Sequence, residues 1–133
     1  MREILFKAKT ISGNWVNGLL ANKDDKWYIS NNADSPFAYD VRPETICQFT
    51  GLCDKNGKKI WENDIVNTKS NVRVQIKFGL YSNGFSTWKH NQGFYMDFMD
   101  KEYYRPELGY WAEKSVVIGN IFDNKELLQE EHK

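Results

Sequence analysis

The sequence has no net charge and no long apolar run. Its 133 residues include 18 basic and 18 acidic ones, which gives a formal net charge of zero. Without an excess of basic residues, no large field draws the protein to duplex nucleic acid or to an anionic membrane. The first apolar run, Ile4-Leu5-Phe6, follows a single arginine and is too short for a signal peptide or a membrane span. We therefore expect a cytoplasmic protein that binds neither duplex nucleic acid nor a membrane.

Reactive and metal-binding side chains are also few. The only two cysteines, Cys47 and Cys53, have no second thiol pair and no histidine cluster near them, so no zinc site is indicated. We expect them to stay reduced, with a cross-strand redox pair as the alternative. The glycines form no phosphate-binding loop, and no serine or cysteine lies in a glycine-flanked nucleophile turn. The sequence thus predicts no cofactor, no metal site and no catalytic residue.

Glu62 and Asp64 form the most compact carboxylate pair within a motif. Such a pair can hold a divalent cation or divide the roles of acid and base. We favour a structural interpretation, because Asn63 between them predicts a turn and Asp64 suits a cap where a strand begins.

Short segments with alternating apolar residues dominate the chain. The clearest runs through Val72, Val74, Ile76 and Phe78, which is typical of a strand with one buried face. Similar patterns and turn residues predict further strands at 4–8, 14–21, 26–30, 64–68, 84–88, 93–99 and 115–122.

A long helical stripe is missing from the sequence. The one predicted helix covers residues 125–131, where Asp123 or Asn124 can cap it and Leu127 with Leu128 can lie on the sheet. Parallel strands would need helical crossovers, so we predict a mainly β fold of antiparallel strands arranged as a barrel or a sandwich.

The best-defined local element is a hairpin from Gln48 to Val66. Its turn centres on Asn56-Gly57, the dipeptide best suited to tight hairpin turns. Two loops fit the sequence. A two-residue turn would place Asp54 opposite Lys59, whereas a type I turn with a bulge at Gly57 would shift the pairing by one residue. The predicted structural turn motif comprises Asp54, Asn56, Gly57, Asn63 and Asp64.

This hairpin resembles the signature of the YopX family, small proteins encoded by bacterial phages and prophages. The matching runs are Thr50-Gly51-Leu52, Asn56-Gly57 and Glu62-Asn63-Asp64-Ile65-Val66, with Trp15-Val16-Asn17-Gly18-Leu19-Leu20 and Val117-Ile118-Gly119-Asn120-Ile121-Phe122 elsewhere. The resemblance implies a mostly β protein with an SH3-like barrel and no established activity.

Two local predictions follow from the resemblance. Asn63 stands where the family often has glycine, which predicts a left-handed backbone there. Asn17-Gly18 lies inside a strand motif, which favours a bulge over a turn.

The turn-forming residues between 31 and 43 suggest a break in the chain. We predict an N-terminal β lobe over 1–43, an SH3-like β barrel with an aromatic-rich middle over 44–123, and a short helical tail over 124–133. The length of the chain favours one cooperative unit.

Aromatic residues concentrate in the middle of the sequence, where residues 78–111 contain eleven of the twenty in the chain. Phe94, Met96 and Phe98 alternate onto one predicted face, while Tyr95 points the other way. Exposed tyrosine, tryptophan and arginine favour a contact surface. The candidate contact residues are Tyr81, Trp88, Tyr95, Tyr103, Tyr104, Arg105 and Trp111.

These features together predict a non-enzymatic β module that acts through protein–protein contacts. Self-association into a homo-oligomer is favoured, because symmetric contacts are the commonest way for small proteins to bury such residues. A host or phage protein is the next candidate partner. Stacking of single-stranded nucleic acid on the aromatics is the alternative, weakened by acidic residues interleaved among them: Asp97, Asp100, Glu102, Glu107 and Glu113.

Overall fold

The structure is a computed structural model that describes residues 5–30, 38–69, 71–81, 91–98 and 106–128, without the side chains of Leu80 and Asn91. It confirms a mainly β protein with antiparallel pairing. Two sheets have the strand orders β4-β3-β2-β1-β5-β6 and β10-β7-β8-β9. The SH3-like barrel stays a prediction. Within the described ranges, no helix has the length and apolar character needed to cross a membrane.

The described residues form ten strands and a few short helical turns. The strands are β1 Phe6–Lys9, β2 Trp15–Lys23, β3 Lys26–Ser30, β4 Tyr39–Asp40, β5 Cys47–Cys53, β6 Lys59–Trp61, β7 Asp64–Thr68, β8 Arg73–Tyr81, β9 Asn91–Asp97 and β10 Ser115–Asn120. A single α-helical turn, α1, covers Leu108–Trp111, and 3₁₀ turns cover Pro43–Thr45, Ala112–Lys114 and Lys125–Leu128. The strand predicted at 84–88 lies outside the described residues.

The contacts divide the chain into two compact units, Met1–Gly51 and Leu52–Lys133. The core of the first unit consists of Ala8, Ile29 and Val41, with Phe6, Val16, Leu20, Trp27 and Ile46 packed against it. Alternation along β1 produces this arrangement, because Phe6 and Ala8 face the core while Lys7 and Lys9 point the other way. Gly18 lies within β2 opposite Phe6, so Asn17-Gly18 is not a hairpin turn.

A hairpin that the sequence analysis did not predict joins β2 to β3. Lys23 pairs with Lys26, and Asp24 and Asp25 fill the two-residue turn with φ of 53° and 64°. Positive φ at both positions defines a type I′ turn, which normally favours Asn-Gly.

The core of the second unit is larger and is built on the second sheet. It contains Ile60, Val66, Val74, Ile76, Met96, Phe98, Leu108, Trp111 and Ala112, with Phe94 and Val117 packed against it. Phe94, Met96 and Phe98 thus face the core as predicted. The prediction that Phe78 is buried with Val74 and Ile76 is wrong, because β8 runs past the core and leaves Phe78 47% exposed.

The end of the chain differs in part from the predicted helix. Residues Lys125–Leu128 form a 3₁₀ turn that lies against β8, as expected for a segment resting on the sheet. The side chain of Asn124 does not cap this turn, because its Oδ1 accepts the N–H of the preceding Asn120 at 3.2 Å. Residues 129–131 lie outside the described residues.

Candidate functional site

The loop of the β5–β6 hairpin has the second of the two predicted geometries. The N–H of Asp54 donates to the carbonyl oxygen of Lys58 at 2.8 Å, and that of Gly57 donates to the carbonyl oxygen of Asp54 at 3.0 Å. Gly57 has a φ of +83°. These contacts define a type I turn with a bulge at Gly57, so Asp54 faces Lys58 and not Lys59.

The carboxylate of Asp54 connects this hairpin to β10. Its Oδ1 accepts the N–H groups of Asn56 at 2.8 Å and Lys58 at 2.9 Å, and its Oδ2 accepts the N–H of Val117 at 2.9 Å. Next to it, the N–H of Lys55 donates to the carbonyl oxygen of Ser115 at 2.9 Å. Asp54 therefore joins the hairpin to a strand far away in sequence.

Burial and hydrogen bonding act in opposite directions on Asp54, which is only 5% exposed. Burial by itself raises the pKa of the carboxyl group. The hydrogen bonds from Val117, Lys58 and Asn56, together with the charge of Lys58, outweigh burial and hold the pKa below its usual value. Asp54 is therefore charged at neutral pH and committed to three backbone donors.

Asn63 has the predicted left-handed backbone, with a φ of 70°. Its N–H donates to the carbonyl oxygen of Ile76 at 2.7 Å, and its own carbonyl oxygen accepts the N–H of Ile121 at 3.1 Å. Its side-chain Oδ1 accepts Nε2 of Gln75 at 3.0 Å. One turn residue thus links β8 to the segment that follows β10.

Asp64 also serves the backbone of the turn. It is 3% exposed, and its Oδ2 accepts the N–H of Trp61 at 2.8 Å. In the part of the chain that the structure describes, no three His, Cys, Asp or Glu side chains come together as a metal-binding group. The contacts of Asp64 support the structural interpretation of the Glu62/Asp64 pair.

A second set of turn contacts, which the sequence analysis missed, lies in Val-Ile-Gly-Asn. The pairing of β10 with β7 shifts register between Val117 and Gly119. A Cβ atom placed on Gly119 would lie 2.5 Å from Oδ1 of Asn124, so only glycine fits there. Oδ1 of Asn120 accepts the N–H groups of Phe122 and Asp123, each at 2.9 Å. The Gly-Asn order was a usable signal, because asparagine commonly forms such Asx turns.

The two cysteines both lie on β5, about 20 Å apart at the usual rise of a strand. The alternative of a cross-strand redox pair is therefore wrong. The thiol of Cys47 is buried and donates to the carbonyl oxygen of Thr45 at 3.3 Å, whereas Cys53 is exposed.

Two of the predicted contact residues, Tyr81 and Tyr95, come together on the β8–β9 ribbon. Their ring centroids are 5.4 Å apart, and the ring planes are inclined by 32°. The pairing of Lys77 with Tyr95 and of Gly79 with Gly93 places these residues and Tyr81 on one face of the ribbon. Ile76 and Met96 point from the other face into the core.

Two positions on this face have no side chain, because both are glycines. Gly79 and Gly93 lie directly opposite each other, and a Cβ on Gly79 would come within 4.0 Å of Cε1 of Tyr95. The ring of Tyr95 therefore lies beside Gly79, toward Tyr81. We call the set Lys77, Gly79, Tyr81, Gly93, Tyr95 and Asp97 the tyrosine site.

Charged groups border the tyrosine site. Nζ of Lys77 lies 2.8 Å from Oδ2 of Asp97, and this hydrogen bond, with the charge of Asp97, raises the pKa of Lys77 against the opposing effect of burial. Glu107 bridges to Tyr95 through the backbone. Burial, followed by the negative charge of Glu107, raises the pKa of Tyr81, so its phenol is protonated at neutral pH.

A third predicted contact residue, Trp111, does not join this site. Trp111 lies in the core, 5% exposed, with its ring centroid 5.4 Å from that of Phe98. The prediction that Trp111 belongs to an exposed surface is therefore corrected, because α1 turns its ring inward. Trp88, Tyr103, Tyr104 and Arg105 lie outside the described residues.

The other face of the ribbon carries an aromatic pair that the sequence analysis assigned to the core. The ring centroids of Phe78 and Phe94 lie 4.9 Å apart in an edge-on arrangement. Because Phe78 is 47% exposed, the pair extends the core to the surface.

The fold and these contacts define a small antiparallel β protein in which the sequence signature forms the turns. The chain belongs to the YopX family, since the model of the YopX protein matches residues 7–129. Among solved structures, it is similar to protein EF1440 from Enterococcus faecalis, with 21% identity and a TM-score of 0.56. That match covers 97% of this chain and 100% of the other, and it shows the fold alone. No match was found among curated proteins.

Proposed function

We propose that the chain is a non-enzymatic module of a phage or prophage. In this proposal it has an SH3-like arrangement of short strands and acts through protein contacts in the cytoplasm of the bacterial host. Its first partner is a second copy of the chain. The signature residues Asp54, Asn63 and Asp64 support the proposal indirectly, since their side chains are engaged in hydrogen bonds within the fold. Asp54 and Asp64 accept backbone N–H groups, and Asn63 accepts the side-chain amide of Gln75.

The observation that carries the proposal is the position of the Tyr81–Tyr95 pair beside two facing glycines. A glycine in a strand lets another surface approach the backbone closely. Tyrosine offers a large contact area at a low cost in conformational entropy, because it has few rotatable bonds. Both tyrosines are half-buried, so each keeps ring surface that a partner could cover.

The charges around the site favour a copy of the same chain as the partner. In a two-fold symmetric contact the same patch occurs on both sides, so it must complement itself. Lys77 supplies a positive charge and Asp97 a negative one within a single site. A two-fold axis near the glycine pair could therefore bring Lys77 of each copy toward Asp97 of the other.

Sedimentation equilibrium and light scattering over a range of concentrations test this proposal. We expect the wild-type chain to dimerise and the Tyr81→Ser/Tyr95→Ser variant to shift the equilibrium toward monomer by at least tenfold. Tyr39→Ser is the matched control, because Tyr39 is 46% exposed on β4, a strand of the other compact unit.

Near-UV circular dichroism should show that all three proteins keep their fold. A wild-type chain that remains monomeric at every concentration would contradict self-association. Equal dimerisation of the wild type and the double variant would exclude the tyrosine site as the interface.

A further inference from the structure

The loop of the β5–β6 hairpin contains the pair Asn56-Gly57. An asparagine followed by glycine is prone to deamidation, because glycine has no side chain to hinder the attack of its nitrogen on the asparagine side chain. Asn56 and Gly57 are both exposed, and a Cβ atom placed on Gly57 would meet nothing within 4 Å. The turn therefore leaves room for water and for the movement that the reaction needs.

The side-chain amide of Asn56 is available for this reaction. Within the described ranges it has no hydrogen-bond partner, whereas the backbone N–H of Asn56 donates to Oδ1 of Asp54 at 2.8 Å. The N–H of Gly57 donates to the carbonyl oxygen of Asp54 at 3.0 Å, so this bond must open before the nitrogen can attack. Opening an exposed turn is a local motion that costs much less than unfolding of a core.

A second pair of the same sequence, Asn17-Gly18, provides an internal comparison. It lies within β2, where Gly18 is buried and pairs with Phe6. β2 lies between β1 and β3 in its sheet, so turning the nitrogen of Gly18 toward the side chain of Asn17 would break strand pairing. The two pairs thus differ in their structural setting alone. Asn83-Gly84 lies outside the described residues.

We propose that Asn56-Gly57 is a modification site where asparagine is converted to isoaspartate, and that this conversion releases the β5–β6 hairpin from β10. The nitrogen of Gly57 attacks Cγ of Asn56 and forms a C–N bond. The Cγ–Nδ2 bond breaks, and ammonia leaves with the proton of the Gly57 nitrogen. Water then opens the cyclic imide. Opening at Cγ leaves aspartate, and opening at the backbone carbonyl leaves isoaspartate, whose main chain runs through Cβ and Cγ.

Isoaspartate would disrupt the contacts of Asp54 within the loop. Oδ1 of Asp54 accepts the N–H groups of Asn56 at 2.8 Å and Lys58 at 2.9 Å, which lie on the two sides of the modified linkage. An extra main-chain carbon adds about 1.5 Å between these donors, so the two cannot both keep their bonds to one oxygen. The new carboxylate also places a second negative charge near Asp54, which opposes its ionised form.

The effect would reach β10, because the loop binds that strand directly. Oδ2 of Asp54 accepts the N–H of Val117 at 2.9 Å, and the N–H of Lys55 donates to the carbonyl oxygen of Ser115 at 2.9 Å. Both bonds depend on the geometry of the loop that isoaspartate lengthens. A modification at an exposed residue would thus loosen a strand that is far away in sequence.

Incubation of the full chain in mildly alkaline buffer, followed by proteolysis and mass spectrometry, tests the conversion. Electron-transfer fragmentation distinguishes aspartate from isoaspartate in each peptide. We expect Asn56 to deamidate at least tenfold faster than Asn17. Isoaspartate should be the main product, because the backbone carbonyl of the imide is the more electrophilic one. Asn56→Gln is the matched control. It keeps an exposed amide, but its longer side chain forms the corresponding imide far more slowly, so this position should stay unmodified.

Hydrogen exchange measured by NMR tests the release of β10, on the isoaspartate form separated by ion-exchange chromatography. The amide of Val117 should exchange at least tenfold faster than in the unmodified chain. The amide of Ile29, in the core of the other unit, should change much less. Asn56→Asp adds the same charge without lengthening the main chain, and it should change the exchange rate of Val117 by less than threefold.

Two results would overturn the proposal. If Asn56 and Asn17 deamidate at equal rates in the folded protein, the turn is not a preferred site of modification. If the isoaspartate form keeps the Val117 exchange rate of the unmodified chain, the modification does not release β10. Neither measurement involves the tyrosine site, so the outcome is independent of the dimerisation test.

Discussion

At the scale of single residues, the side chain of Asp54 holds the β5–β6 loop together and connects it to β10. Its carboxylate accepts three backbone N–H groups, two in its own loop and one on β10. Hydrogen bonds to a charged group contribute more than those between neutral groups, and a donor left unpaired after burial is costly. Asp54 therefore belongs to the family signature because it stabilises the fold.

Replacing Asp54 with asparagine tests this role. The amide keeps one acceptor oxygen but brings an NH₂ group against backbone donors, so we expect Asp54→Asn to lower the free energy of unfolding by about 2–3 kcal/mol. Urea unfolding at pH 7 measures the change. Asp40→Asn is the control, since Asp40 is exposed, and it should stay within about 0.5 kcal/mol of the wild type.

The difference in the free energy of unfolding between the wild type and Asp54→Asn should depend on pH. The folded state lowers the pKa of Asp54 below the unfolded value of 3.8. The ionised carboxylate therefore stabilises the fold above that pH, and the contribution disappears as the pH falls through the folded pKa. The difference in the free energy of unfolding between the wild type and Asp54→Asn should have its full size at pH 5–7 and should decrease in more acidic buffer. A gap that stays constant down to pH 2.5 would contradict the assignment.

Gly119 and Gly109 form a second residue-scale test. A methyl group on Gly119 would collide with Asn124, so Gly119→Ala should destabilise the protein by about 1–3 kcal/mol. A Cβ on Gly109 meets nothing within 4 Å in α1, and Gly109→Ala should be neutral or stabilising by up to about 1 kcal/mol. Differential scanning calorimetry measures both. Equal effects would show that space beside Gly119 does not matter.

At the scale of elements, the hairpin turns show two ways of meeting the same conformational demand. The β5–β6 loop places glycine at its left-handed position, whereas the β2–β3 turn places Asp24 and Asp25 at two such positions. A left-handed backbone costs roughly 1–2 kcal/mol for an ordinary residue, although aspartate tolerates it better than most. Residues that adopt the left-handed backbone more easily than Asp24 and Asp25 should therefore stabilise the protein at the β2–β3 turn.

Exchanging Asp24-Asp25 for Asn-Gly should raise the free energy of unfolding by about 0.5–1.5 kcal/mol, because Asn-Gly is the preferred type I′ pair. Chemical denaturation measures the gain. The control Asp24→Ala/Asp25→Ala removes the same two charges but keeps the strained backbone. If this control stabilises the protein as much, relief of charge repulsion and not turn geometry is the cause.

The strands were largely predictable from sequence, because alternation records which face is buried. The predicted bounds at 26–30 and 64–68 match β3 and β7. The left-handed backbone of Asn63 was predicted from the family resemblance, because glycine often stands at that position in the family. The β2–β3 turn was missed because Asp-Asp is not its usual pair. α1 was missed because a single turn has no periodicity to detect.

The candidate site was less predictable, because its chemistry depends on contacts between distant residues. Local sequence gives no sign that Asp54 accepts the N–H of Val117 or that Trp111 turns into the core. The sequence did predict that Tyr95 points away from the inward residues of β9, because the alternation of side chains along a strand is a local property. The stacking of Tyr95 with Tyr81 depends on strand register, which sequence patterns fix only loosely.

At the scale of the whole molecule, the boundary between the two compact units falls inside β5, between Gly51 and Leu52. Each unit has its own core, built around Ile29 in one and Ile76 in the other. A strand that belongs to both units cannot fray at its middle without affecting each of them. We therefore expect the units to unfold together.

Calorimetry should give a single transition with equal calorimetric and van't Hoff enthalpies. Ile29→Ala and Ile76→Ala should each lower the free energy of unfolding by about 2–5 kcal/mol and move that one transition as a whole. Two resolved transitions, each sensitive to only one substitution, would show that the units unfold independently.

The contacts around β10 also bear on how the molecule behaves in a crowded solution. Among the described strands, β10 is the outermost of its sheet, and an outermost strand offers N–H and C=O groups to the strands of other molecules. Here Asp54 occupies the N–H of Val117, Lys55 occupies the carbonyl of Ser115, and Asn124 occupies the N–H of Asn120. The hairpin thus protects an edge that would otherwise be a template for aggregation.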